Sequence, residues 1–174
     1  MFRKKESKPP APPPPPPVPF TTQILTTEYL IEGLVDAGAG YFIPAGDHWS
    51  ELVLSNATMT AVAASDIPPR TIPRFIAYGY NIVAVIQHRN LEQISSYNNL
   101  WKKYKAPKEG IFYFGPYRIR GKLVFPPANT KRVENELPMI NVQITAQSPA
   151  SPIGTLTAPF IFVNTRWMFG YEPV

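Results

Sequence analysis

Apolar and polar residues alternate with period two along several stretches of this chain, the pattern of strands with one face buried. Leu30 to Val35 reads as a strand, with Tyr29, Ile31 and Val35 on one side and Leu30, Glu32 and Leu34 on the other. Tyr117 to Leu123 repeats the pattern, with Tyr117, Ile119 and Leu123 facing one way and Arg118, Arg120 and Lys122 the other. Along Glu51 to Val62 the apolar positions are Leu52 and Leu54, then Ala57, Met59 and Ala61. That change of parity at Ser55-Asn56 predicts a bulge or tight turn. Ile140, Val142 and Ile144 alternate through the matching asparagine, so no break is expected there. Phe75–Tyr78 and Ile82–Gln87 are expected to form a hairpin about Gly79-Tyr80-Asn81. Phe160–Val163 and Trp167–Tyr171 are expected to do the same about Asn164-Thr165-Arg166.

One segment has a different period. Leu91, Ile94, Tyr97, Leu100, Trp101 and Tyr104 recur at three- and four-residue steps and predict an amphipathic helix over 90–106. Asn90 can cap its start, Lys102, Lys103 and Lys105 suit its negative end, and Pro107 stops it.

The strands belong to an internal duplication. Glu51–Ala61, E-L-V-L-S-N-A-T-M-T-A, returns 85 positions later as Glu136–Ala146, E-L-P-M-I-N-V-Q-I-T-A. The identities are Glu51, Leu52, Asn56, Thr60 and Ala61 with their counterparts, and Leu54/Met139, Ala57/Val142 and Met59/Ile144 exchange one apolar residue for another. At the same offset Phe75–Gly79 falls on Phe160–Asn164. Upstream, Tyr29–Gly33 matches Tyr117–Gly121 with three residues fewer before the long repeat. Gly33 and Gly121 therefore hold one place in both copies, where a tightly curved sheet would bend.

Two units follow, 26–88 and 114–174, each with four or five short strands. A sheet that small exposes its edges unless it closes, so the expected architecture is mainly β: two tandem small β-barrels joined by the helix. Residues 1–20 form a basic, proline-rich arm. Its consecutive prolines fix a polyproline II spacer of about 3 Å per residue. The same run, including Pro12, Pro13, Pro14, Pro15, Pro16 and Pro17, contains P-x-x-P ligands for an aromatic groove.

Charge sharpens this picture. The chain of 174 residues carries a net +5, distributed as +3 over residues 1–20, −4 over 21–88 and +6 over 89–122. Leu30, Glu32 and Leu34 occupy in the first unit the positions that Arg118, Arg120 and Lys122 occupy in the second. The basic face is thus a property of one copy and not of the repeated scaffold. With Lys102, Lys103, Lys105 and Lys108 and the aromatics Tyr104, Phe112, Tyr113 and Phe114, it is a candidate surface for single-stranded nucleic acid. Complementarity with the acidic first unit, in the same chain or the next, is the competing reading and the favoured one.

Catalytic signatures are missing. The chain has no cysteine and only two histidines, His48 and His88, neither spaced with a partner for a metal. There is no nucleophile elbow and no phosphate loop. Glu51 and Glu136 have no neighbouring group to set their acidities apart. No enzyme activity, metal or cofactor is expected. No apolar run approaches the ~20 residues of a membrane span, and the basic N-terminus lacks the apolar stretch of a secretory signal. A cytoplasmic protein is expected.

The frame Y-x-I-x-G-x-[LV], a proline-containing loop, then L-x-[LM]-x-N-[AV]-x-[MI] and a following F-I strand resembles an uncharacterised bacterial family of small β-barrels, with Tyr117 to Pro126 carrying the likeness most fully. The resemblance covers both units and implies a small-barrel fold of the Sm-like or SH3-like kind, without an activity.

These readings converge on a non-enzymatic structural or protein-interaction subunit of a larger assembly, self-association included. It would dock through charge-complementary barrels and through an arm bearing Arg3, Lys4 and Lys5. Nucleic acid is the alternative partner. Peripheral contact of Arg3, Lys4, Lys5 and Lys8 with anionic lipid, at about 1 kcal/mol each, is the third.

Overall fold

The computed structural model describes residues 19–35, 51–64, 66–87, 107–124 and 136–174. The first unit supplies β1 (Phe20–Thr26), β2 (Tyr29–Val35), β3 (Glu51–Ala61), β4 (Arg70–Tyr78) and β5 (Ile82–Gln87). The second supplies β6 (Lys108–Phe114), β7 (Tyr117–Leu123), β8 (Glu136–Ala146), β9 (Thr155–Asn164) and β10 (Met168–Pro173). A three-residue 3-10 turn separates the last two strands of each unit, Gly79–Asn81 in the first and Thr165–Trp167 in the second. The strands β1 and β6 open the two units and precede the starts that the repeat pattern marked.

All ten strands form a single antiparallel sheet in the order β10-β6-β7-β8-β9-β5-β1-β2-β3-β4. Two expectations are corrected here. The sheet is open and continuous, so the strands do not close into two separate barrels. Nor do β4 and β5, or β9 and β10, form hairpins: each pair lies at opposite ends of its own five-strand unit. The short turn between them redirects the chain without bringing the two strands side by side. The expected helix over 90–106 lies outside the described residues.

Each half-sheet nevertheless bends round a core. Ile24, Ile31, Leu52, Leu54, Ala77, Ile82 and Val85, drawn from all five strands of the first unit, meet in one buried cluster. Since β4 and β5 end the unit on opposite sides, they can share that cluster only if the sheet curls. Phe112, Phe114, Ile119, Leu137, Met139, Ile144 and Ile161 fill the corresponding core of the second unit. Each fully buried side chain of this size contributes about 1.5–3 kcal/mol.

The curl is made at one repeated place. Asn56 and Asn141 both hold a φ of 51°, in the left-handed region that asparagine tolerates better than most residues. The pairing of β2 with β3 steps from Glu32↔Thr58 to Leu34↔Ser55, so Gly33 faces two residues, Asn56 and Ala57. β7 and β8 step in the same way from Arg120↔Gln143 to Lys122↔Ile140 opposite Gly121. A Cβ on Gly33 would stand 3.0 Å from that of Leu54, and one on Gly121 would stand 2.9 Å from Val142 Cγ1. A side chain at either position would press on its neighbours, and glycine avoids that contact. The second copy carries the same parity break as the first, which corrects the expectation of uninterrupted alternation there: Leu137 and Met139 before the asparagine, then Val142 and Ile144 after it, are core residues of β8.

On the other side of each bulge a proline lies opposite the asparagine. The β3–β4 ladder passes from Ser55↔Arg74 to Ala57↔Ile72 around Pro73, and the β8–β9 ladder from Ile140↔Phe160 to Val142↔Ala158 around Pro159. Proline has no N–H to lose where the ladder breaks. This register also revises the repeat: Leu52 faces Ala77 while Leu137 faces Val163, so the fourth strands align at an offset of 86. Thr71 and Pro73 then match Thr157 and Pro159 identically.

The two units meet where β5 pairs with β9, through Ala84↔Val163, Val85↔Phe162 and Ile86↔Ile161. Side chains on opposite faces of these strands enter different cores. Val85 joins Phe160 and Phe162 in the first, while Leu25, Val83, Ala84 and Ile86 join Ile161 and Val163 in the second. The junction is a shared layer of sheet buried on both faces.

Candidate interaction surfaces

The alternation of β7 puts Arg118 and Arg120 on the outer face of the second unit, both exposed, while Tyr117, Ile119 and Leu123 are buried. Across the sheet Arg118 lies between Tyr113 and Thr145, and Arg120 between Ile111 and Gln143. Lys122 is partly neutralised, its Nζ lying 3.2 Å from Glu109 Oε2. Lys108 begins β6 at the exposed end of the same strand pair. Lys102, Lys103 and Lys105 lie outside the described residues, as do Arg3, Lys4, Lys5 and Pro12 to Pro17 of the arm. The basic face among the described residues thus consists of Arg118, Arg120, Lys108 and Lys122, the last ion-paired to Glu109.

The reason Leu30 replaces Arg118 in the first unit lies in the junction. Leu30 packs against the core of the second unit, so an arginine there would bury a charge. Glu32, farther along β2, stays exposed and accepts a hydrogen bond from Gln23 Nε2 at 2.7 Å.

A second surface was not anticipated from the sequence. The sheet ends in two unpartnered strands among those described, β4 and β10. Large apolar side chains gather on them: Ile76 and Tyr78 on β4, with Tyr80 in the turn that follows, and Phe169 and Tyr171 on β10 are all exposed. Tyr78 and Tyr80 stack at 6.0 Å between ring centroids. On β10, Tyr171 stacks on Phe112 at 4.7 Å and Phe169 leans on Tyr113 at 5.9 Å. The hairpins expected from the sequence would have paired one edge of each of these strands with its neighbour in the chain.

Beside β4 two clefts open into the first unit. One, of about 280 Å³, is lined by Thr26, Tyr29, Ile31, Phe75, Ile76 and Tyr78 among others. Its neighbour, of about 460 Å³, is lined by Tyr29, Met59, Ile67, Pro68, Arg70 and Ile72 among others. The corresponding place in the second unit is filled. Tyr117, which matches Tyr29, is fully buried and donates its hydroxyl to the carbonyl oxygen of Thr26 at 2.7 Å. Burial pushes the Tyr117 phenol far above its ordinary value, so it stays a donor.

Among the described residues no group of three or more His, Cys, Asp or Glu side chains could hold a metal, and no helix is long and apolar enough to cross a membrane. His48 and His88 lie outside the described residues. Glu51 is exposed at the start of β3. Against known proteins, the chain matches no family model, no curated protein and no solved structure.

Proposed function

We propose that this protein is a non-enzymatic structural subunit of a larger assembly, built as a tandem of two small barrel-like units that dock through their sheet edges. One observation carries the reading: among the described residues both terminal strands of the ten-stranded sheet have an unpaired edge, with Ile76, Tyr78, Phe169 and Tyr171 exposed. An uncovered edge rich in apolar side chains is a template for strand addition, and monomeric proteins usually blunt such edges with charge or cover them. The arm, with its basic cluster and polyproline run, would extend the reach of the subunit.

Gentle extraction of the untagged protein followed by sizing tests this. The expected result is elution well above the 19.5 kDa chain mass. Elution as a lone monomer at native concentration would remove the assembly reading.

Exposed Arg118 and Arg120 support the alternative, a single-stranded nucleic-acid module. That reading requires binding of labelled single-stranded RNA or DNA at low ionic strength that weakens steeply with salt. Replacing both arginines by glutamine must then reduce the salt slope.

A further inference from the structure

The repeat and the sheet order together say what the open edges fit. The second unit offers its fourth strand, β9, to the fifth strand of the first unit, β5. This contact is heterologous, one kind of edge against another. It leaves over the fifth strand of the second unit, β10, and the fourth strand of the first, β4. The two free edges are therefore the same two kinds that the junction already joins. Deepening the assembly reading above, on which this rests, we propose that the chain self-associates head to tail, β4 of one copy pairing antiparallel with β10 of the next.

The junction serves as the template for the register. β1 pairs with β5 as β6 pairs with β10, which matches Ile82 to Met168, Val83 to Phe169, Val85 to Tyr171 and Ile86 to Glu172. The fourth strands match Phe75, Ile76 and Ala77 to Ile161, Phe162 and Val163. Gly170 then faces Ala77 of the next copy, Tyr171 faces Ile76, and Glu172 faces Phe75. Neither Pro73 nor Pro173 falls within this window, so the main-chain donors that a ladder needs are present.

Exposure follows the same correspondence. Phe169 is 68% exposed where Val83 is 0%, Tyr171 is 42% exposed where Val85 is 0%, and Ile76 is 38% exposed where Phe162 is 4%. These three covered positions of the junction thus have uncovered apolar counterparts on the free edges. The clefts beside β4 agree, because in the second unit the first unit's Leu25, Leu30, Val62 and Val83 occupy the matching side. Their counterparts in the next copy would be Tyr113, Arg118, Gln147 and Phe169. The contact between copies is thus more polar than the junction, as expected of surfaces that must also stand in water before they meet. A heterologous contact propagates into a closed ring or a filament according to its rotation.

Cysteine pairing tests both the partner and the register, since the chain has no cysteine of its own. Directly opposed residues of an antiparallel pair have Cα atoms about 4.5–5.5 Å apart, within disulfide range. The full chain carrying both Ile76→Cys and Tyr171→Cys is expected to give, on mild oxidation, a ladder of disulfide-linked multiples that reduction abolishes. The separate single variants should cross-link only when mixed, and then only to dimers. Sedimentation of the cysteine-free chain should show multiples of 19.5 kDa, lost in Phe169→Lys with an unchanged circular dichroism spectrum. Cross-linking of either single variant alone would overturn the head-to-tail geometry. A chain that sediments as a monomer at all concentrations and forms no ladder overturns self-pairing. In that case a large native particle containing other proteins would keep the assembly reading, and its absence would end both.

Discussion

Tyr117 of the second unit hydrogen-bonds through its hydroxyl to the main-chain oxygen of Thr26 in the first, a bond of 2.7 Å between residues 91 positions apart. It ties the opening of β7 to the end of β1 at the inner boundary of the two cores. Tyr117→Phe keeps the ring and removes the donor, leaving a carbonyl short of its partner. Urea titration should show a loss of about 1–2 kcal/mol with little change in slope.

The same residue gives stability a dependence on pH. Below pH 10, the ordinary phenol value, both native and unfolded chains hold the Tyr117 proton. Above it the unfolded chain releases the proton while the buried phenol retains it. The native state then binds more protons, and stability falls as pH rises, by about 1.4 kcal/mol per pH unit until the native phenol also ionises. Denaturation midpoints measured from pH 9 upward should show this decline, weakened in Tyr117→Phe.

The repeated bend should respond alike in both units. Asn56→Ala and Asn141→Ala place an alanine in the left-handed region and are expected to cost about 1–2 kcal/mol each. The corresponding glycine variants should be near neutral. Gly121→Ala drives a methyl toward Val142 Cγ1 and the carbonyl oxygen of Ile140, at 2.9 and 3.0 Å. Overpacking of that kind costs about 1–3 kcal/mol. Thermal midpoints of the variants, compared pairwise, are the measurement. A bend variant that costs nothing in either unit would show that the curl is not made there.

Phe162 and Ile76 hold equivalent places but different surroundings. Phe162→Ala empties a site within the junction and should cost about 3–5 kcal/mol. Ile76→Ala, on the exposed edge, should change the stability of the dilute chain by less than about 1 kcal/mol. Chemical unfolding at low protein concentration separates the two.

Local features of this fold were legible in the sequence, and long-range ones were not. Period two marked β2, β3 and β7 and assigned their faces, because each turns one side to a core; on β8 it marked the strand and missed the break at Asn141. Gly33 and Gly121 marked the bend because close approach leaves no room for a side chain. The partners of β5 were misread. A three-residue turn after β4 suggested a hairpin, but hydrogen-bond partners are chosen by burial across the whole sheet. The uninterrupted run Ile82-Val83-Ala84-Val85-Ile86 was the available signal, since a strand apolar on both sides is one covered on both faces. Phe160-Ile161-Phe162-Val163 says the same of β9. Only that junction identifies β4 and β10 as the edges of the sheet, whereas the charges of Arg118, Arg120 and Lys122 are plain in the sequence itself. The strands β1 and β6 escaped because Phe20–Thr26 is mostly polar and follows the proline arm, while Lys108–Phe114 follows the lysine cluster.

The pairing of β5 with β9 joins two parts of one polypeptide, and this fixes an order of events. The continuous chain between them holds the two strands at an effective concentration that dilution cannot lower. That contact therefore forms with the fold itself and is insensitive to abundance. Any contact made by β4 and β10 has no such tether and appears only once enough chains are present. A protein made this way completes its own architecture at low expression, and the proposed pairing of β4 with β10 would set in only above a threshold cellular level.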